Sequence, residues 1–335
     1  MKIWLVPLLL SLSACSDYNG DKALDKYQSR LANVLELQRA NGSLTAPEAL
    51  IPERDLKQAL PDVRFNLTDA YASRRCGLDT LIGERNSSLG IVYTASKQLS
   101  YELRLLQKLE HCLTLSWDDS SLLNQLLQVY EQKQASVSIA FNNMLFTDNT
   151  LRKELLGIRK ALPLKAAPGF TETWQALTEL TLLQQFINEK NWQAASKVDI
   201  EQQLQLLYQY NFLARLQYSL RLTAHQLVQL NSLTQNQNSN TLCPNGRDSE
   251  QLRILANVFQ KYFIGEIQLY STELSRYQQQ LWPLLQQLYQ QTPLEQPLQQ
   301  RFEYSYNSMR NELSQHVKWW QTLNGQCPLQ LNGQK

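Results

Sequence analysis

The chain has 335 residues, with 32 Lys and Arg against 30 Asp and Glu, a formal net charge of +2. This near-neutral balance, without a long run of one sign, excludes the basic stripe of a nucleic-acid-binding protein, and the length suffices for one large domain or two lobes. Gly and Pro are scarce at 11 each and 40 Gln interleave with Leu, which points to an all-α protein and away from a low-complexity chain.

The first residues, MKIWLVPLLLSLSACS, join Lys2 to an apolar run from Ile3 to Leu12. About ten helical residues rise roughly 15 Å, half of a ~30 Å hydrocarbon core, so the run is too short to span a bilayer and reads as a secretory signal peptide. It ends in Leu12-Ser13-Ala14-Cys15, which resembles a bacterial lipobox. The resemblance implies a signal peptide over 1–14, a diacylglyceryl group on the Cys15 thiol and cleavage just before it. The partner is then membrane lipid, held through acylated Cys15; one acyl chain binds reversibly, whereas several anchor stably. Ser16, not Asp, follows the cysteine. That resembles the sorting pattern of Gram-negative outer-membrane lipoproteins, so the expected address is the cell envelope, facing the periplasm. A tether over 15–21 would reach at most about 25 Å.

Further along, residues 22–40 read as a first helix stopped by Asn41-Gly42. Pro47, Pro52 and Pro61 make 43–62 an extended crossover with one short helical turn. Residues 66–82 look helical, and GERNSSLG (83–90) reads as a polar loop bracketed by glycines. Leu99, Leu103, Leu106 and Leu109 give the 91–115 helix one apolar face. SWDD (116–119) starts a helix near 119–146 in capping-box style. A helix over 149–161 precedes LPLKAAPGF (162–170), the candidate boundary between an N-terminal lobe (22–165) and a C-terminal lobe (166–335). Helices follow over 171–188 and 199–233, the latter with Gln217 in a gap of its apolar stripe. After the polar loop 234–248, a helix over 248–291 carries Pro283, where a kink is expected. Thr292, Pro293 and Glu295 restart a helix that reaches about 324. The expected fold is an elongated antiparallel bundle of long helices, divided into two packed lobes or continuous as one domain.

With Cys15 set aside, Cys76, Cys112, Cys243 and Cys327 remain. Four cysteines in an oxidising compartment suggest two disulfides, with three possible connectivities. The sequence-local pairing, Cys76–Cys112 and Cys243–Cys327, is favoured, although a tight hairpin would set Cys112 opposite a residue nearer 68 than 76. No C-x-x-C pair occurs, and His111, His225 and His316 show no metal-binding spacing. No metal or cofactor is therefore expected. No nucleophile elbow or phosphate-cradling loop is present either. These absences weigh against an enzyme, but triad members can lie far apart in sequence. A deep cleft joining Glu84 or Arg85 to a buried carboxylate or histidine would favour one.

Two stretches stand out as candidate binding surfaces. Glu84, Arg85, Asn86, Ser87 and Ser88 concentrate hydrogen-bonding groups, and loops often carry function; the plainer reading is a helix connector with Ser87 or Ser88 as N-cap. Near the C-terminus, Phe263, Tyr270, Tyr277 and Leu284 repeat every seven residues, with Trp282, Tyr304, Trp319 and Trp320 nearby. Such spacing is usually core; the alternative is an aromatic groove for a lipid or glycan, built from Tyr270, Tyr277, Trp282, Tyr304, Trp319 and Trp320. The lipobox, the ERNSSLG region, the Gln/Leu-rich helices, Trp319-Trp320 and Cys327 together resemble a proteobacterial lipoprotein family of unknown function, domain of unknown function 3080. That resemblance implies the envelope address and the helical fold, and no activity. The expectation is an anchored binding or structural module whose partner is another envelope protein or a cell-wall component.

Overall fold

The computed structural model describes residues 18–39, 42–61, 71–235, 237 and 239–329. The expected signal peptide over 1–14 and the expected lipidation site Cys15 lie outside the described residues. Within them the protein is all-α; the only β feature is an isolated antiparallel bridge between Asn19 and Pro163.

Helix α1 (Gly20–Val34) ends before the expected stop. Glu36 turns left-handed (φ 55°), and Leu37 N–H donates back to the Ala32 carbonyl at 2.9 Å, a Schellman-type end that needs no glycine at the turn. The crossover carries α2 (Glu53–Leu56). A 3₁₀ turn (Ser73–Cys76) leads through Gly77 (φ 74°) into α3 (Leu78–Asn86) and α4 (Ser88–Ile91). Helices α5 (Ala95–Leu113) and α6 (Ser120–Thr147) pack side by side, joined by residues 114–119. The α6 N-cap is Asp119 itself, which accepts from Ser121 and Leu122 N–H. Asp148 caps α7 (Asn149–Leu156) in the same way, and Gly157 (φ 82°) ends that helix short of 161.

Then follow α8 (Phe170–Asn188), α9 (Trp192–Ala195), α10 (Ile200–Tyr210) and α11 (Phe212–Thr234). The expected single helix over 199–233 is broken at Asn211, whose left-handed backbone (φ 48°) is tolerated because asparagine pays little strain there. After α12 (Ser239–Leu242) come α13 (Glu250–Val258), a π-helical stretch (Phe259–Gln268) and α14 (Leu269–Tyr289), with Pro283 inside the continuous helix. The last helices are α15 (Glu295–Gln299) and α16 (Ser305–Gln326), joined by a π-helical turn (Gln300–Tyr304).

One large core draws on α1, α5–α8, α10, α11, α13, α14 and α16, on both sides of residue 165. The stretch 162–170 is therefore not a linker between two cores. Leu162 and Ala167 are buried, Gly20 N–H donates to the Leu162 carbonyl at 3.2 Å, and Ala167 N–H donates to the Tyr277 hydroxyl at 3.0 Å. Nor does a free tether extend to 21. Tyr18 is already docked, its hydroxyl donating to Glu266 at 2.7 Å and its carbonyl accepting from Leu164 N–H. A smaller satellite cluster joins α3 to one end of the α5–α6 pair through Leu78, Leu81, Leu105, Leu109, Leu122 and Leu126.

Two disulfides fasten these cores, Cys76–Cys112 in the satellite (Cα–Cα 5.2 Å) and Cys243–Cys327 in the main core (5.7 Å). Between the bridged cysteines the chain runs through the left-handed Gly77 into α3, α4 and α5, not through a tight two-helix hairpin, so the hairpin register does not apply.

Candidate functional site

The α5–α6 pair carries one charged residue on the buried side of each helix. Glu102 lies three residues after Leu99 and four before Leu106; Lys133 lies midway between Val129 and Val137. Both positions belong to apolar stripes, so both charges are carried inward. They meet: Lys133 Nζ donates to Glu102 Oε1 at 2.9 Å, and Gln98 Nε2 donates to the same oxygen. Oε2 also lies 2.9 Å from the ammonium, outside hydrogen-bond geometry, and has no other donor. The side chains are only 4% and 8% exposed.

This pair forms the floor of a cleft of about 730 Å³, within the range of ligand sites and too large for a packing defect. One wall is the crossover, with Glu53, Arg54, Lys57 and Gln58; the other is the entry to α5, with Arg85, Tyr93, Thr94 and Gln98. Asn143 on α6 fixes the crossover in place. Its amide donates to the Gln58 carbonyl at 2.8 Å and its carbonyl accepts from Gln58 N–H at 2.9 Å.

The wall containing Arg85 is built by the ERNSSLG region, which is helical and not a loop. Helix α3 runs through Asn86, and only Ser87 is extended (ψ 160°). Ser87 Oγ accepts from Gly90 N–H at 3.1 Å, so Ser87 is the N-cap of α4. Gly90 marks close packing and not a loop end: a Cβ there would stand 2.4 Å from the Glu84 carbonyl oxygen. Arg85 donates to the Gly90 carbonyl and lies over the Tyr93 ring at 5.5 Å. Glu84 takes a two-pronged bond from Arg104 (2.6 and 2.9 Å) and a third from the Tyr93 hydroxyl (2.6 Å). The Arg104 bonds hold the Glu84 carboxyl below its ordinary range, while burial, then Glu84, raises the Tyr93 hydroxyl. Of the five expected residues, Arg85 reaches the cleft and Glu84 positions a wall residue; Asn86, Ser87 and Ser88 are exposed outside it.

The aromatic set does not form a groove. Tyr270, Tyr277 and Trp320 are buried in the main core, Trp282 and Trp319 are half-buried, and Tyr304 stands 56% exposed. The inner hydroxyls serve the chain itself: Tyr270 donates to the Leu162 carbonyl at 3.4 Å and Tyr277 accepts from Ala167 N–H. Seven-residue spacing on a helix that packs on several neighbours produces a seam, and these rings fill it.

The histidines are separate. His111 is exposed, and His225 bonds the Gly42 carbonyl at 3.0 Å. His316 is fully buried between Tyr27 Oη (2.7 Å) and Asn231 Oδ1 (3.0 Å). Asn231 turns its amide nitrogen to Glu312, so its oxygen accepts from His316 Nδ1–H, leaving Nε2 to accept from Tyr27 and Trp320. Burial pushes the His316 imidazole down to about 3. The network ties α1, α11 and α16 together and has no opening to a ligand.

Among the described residues no group of three or more His, Cys, Asp or Glu is placed to hold a metal, and no helix is long and apolar enough to cross a membrane. A family model described as protein of unknown function (DUF3080) matches residues 24–331. No curated protein and no solved structure matches the chain.

Proposed function

The chain belongs to the DUF3080 family, and from that premise we propose that it is a periplasm-facing outer-membrane lipoprotein that binds a polar cell-wall component in the cleft over Glu102 and Lys133. The observation that carries the reading is the cleft's lining. Arg54, Lys57, Arg85 and Lys133 line it together with Glu53, Glu102 and Asp148, among the amides of Gln58, Gln98 and Asn149. A ligand bearing carboxylates, an amine and amide groups at once, as a peptide-bearing amino-sugar fragment does, matches that mixture, whereas a lipid tail does not. The docking of Tyr18 supports the anchor geometry. Cys15 lies three residues earlier in the chain, a reach of at most about 11 Å, so an acyl group there would hold the body against the membrane face.

Titration of the mature protein with a disaccharide-tetrapeptide tests the binding. Saturable one-to-one binding is expected, weakened about tenfold in Arg85→Gln, the loss of one charge-assisted bond. No saturable binding up to about 5 mM contradicts it. Cys15→Ala tests the anchor: acyl labelling should vanish and the protein should leave the membrane fraction, and persistent labelling contradicts that part.

A second reading, an envelope enzyme, rests on one observation: the cleft brings Arg85 and the buried Glu102 carboxylate to the same space. Mass analysis of the titrated ligand separates the two. An intact ligand supports binding alone, and a product that disappears in a Glu102→Gln variant still folded by circular dichroism supports turnover.

A further inference from the structure

A second cavity, of about 350 Å³, lies between residues 43–47 of the crossover, the end of α7 and the middle of α11. Its polar lining is Ser43, Arg159, Gln217, Tyr218 and Arg221, with apolar walls from Leu44, Pro47, Leu156 and Ile158. Two arginines and no acidic residue line it. Behind Gln217 stands a third guanidinium, Arg301, only 3% exposed, which donates to Gln217 Oε1 at 3.4 Å and to the Glu48 carbonyl. Arg152, 7% exposed, adds a fourth charge nearby.

These cations are poorly matched by anions. Burial lowers Arg301, and Arg221 and Arg152 lower it further by repulsion; Glu48 alone acts the other way. Burial lowers Arg221, Tyr218 opposes that shift, and Arg159 adds to it; the Arg221 Nε is buried without an acceptor. Glu53 stands 3.7 Å from Arg152. Glu154, whose backbone carbonyl Gln217 caps, turns its carboxyl to Ala214 N–H at 2.9 Å, and burial raises it to about 8. Arg159 is exposed, but Arg301 and Arg152 are buried, with the Glu53 carboxylate paired to Arg152, and gathering like charges with so little compensation is costly; guanidinium forks match the oxygens of phosphate.

Gln217 holds the geometry. Its amide donates to the carbonyls of Glu154 (2.8 Å) and Leu155 (3.1 Å), capping α7, while its oxygen faces Arg301. Gly157 permits this approach, because a Cβ there would meet Gln217 Cδ at 2.9 Å.

We propose that this cavity is a binding site for a phosphomonoester-type oxyanion, gripped by Arg159 and Arg221, with the small organic body of the ligand against Leu44, Pro47, Leu156 and Ile158. The site is separate from the cleft and does not depend on the reading given above.

The test is isothermal titration of the mature protein with inorganic phosphate and with glycerol 3-phosphate, the ionic strength held constant with chloride. Saturable one-to-one binding of both is expected, weakened about tenfold or more in Arg221→Gln and several-fold in Arg159→Gln. Circular dichroism establishes whether Arg221→Gln folds; if it does not, the surface variant Arg159→Gln decides. The proposal is overturned if neither probe saturates by about 10 mM, or if the folded variants bind as tightly as the wild type.

Discussion

Replacing one member of the Glu102–Lys133 pair should harm the protein more than replacing both. At 2.9 Å the attraction is about 6 kcal/mol with an effective dielectric of about 20. Removing two ions from water costs several kcal/mol each, so the intact pair contributes little net stability. Glu102→Gln leaves a buried ammonium without its carboxylate, and Lys133→Met leaves the reverse. Each should cost about 3–5 kcal/mol, whereas Glu102→Leu with Lys133→Met should match the wild type or exceed it by about 1–4 kcal/mol. Urea denaturation followed by circular dichroism reads all four corners of the cycle. Single variants within about 1 kcal/mol of the wild type would refute the reasoning, since that is how an exposed pair behaves. The stable double variant should also lose cleft binding, which would show that the charges are kept for the ligand and not for the fold.

Stability should decline toward both acid and alkali for two separable reasons. Between pH 6.5 and 3 the unfolded chain protonates His316 and the folded chain does not, so stability falls with falling pH by up to roughly 5 kcal/mol. Between pH 4.5 and 8 the folded chain keeps a proton on Glu154 that the unfolded chain releases, so stability falls as pH rises. Urea midpoints across pH should lose the first slope in His316→Asn and the second in Glu154→Gln; unchanged slopes contradict the assignments. Cys76→Ser with Cys112→Ser opens a loop of 36 residues and should cost about 4 kcal/mol, with hydrogen exchange rising in α3 more than in α11. Gly20→Ala drives a Cβ to 2.2 Å from the buried Tyr270 ring and should cost about 1–3 kcal/mol, read as a lower urea midpoint. Gly325→Ala meets nothing within 4 Å and should raise it slightly.

The helical class was legible because it rests on local composition; the cysteine pairing that the structure shows is the sequence-local one, favoured although hairpin spacing argued against it. Helix ends were less legible. Asn211 and Glu36 adopt left-handed backbone without glycine, and Gly83 and Gly90, which read as loop brackets, lie within helices. The aromatic residues were visible, but whether a seven-residue stripe faces a core or a ligand depends on what packs against it, and here three of the rings meet the main core. The cleft was half visible. Arg85 stood out, while its floor was hidden as two single charges on apolar stripes, Glu102 and Lys133, one helix apart. An opposite-charge pair at core positions of successive helices is the pattern that would have found it. Gln217 carried the same kind of signal, a polar residue in a stripe gap, and it braces the arginine cavity.

The most direct test of the account is a two-dimensional NMR titration of the mature protein with the disaccharide-tetrapeptide. The account predicts saturable shifts concentrated on the amides of Gln58, Tyr93, Gln98 and Lys133, and absent from the double variant Glu102→Leu with Lys133→Met. Shifts that fall elsewhere, or that persist in the double variant, would contradict it.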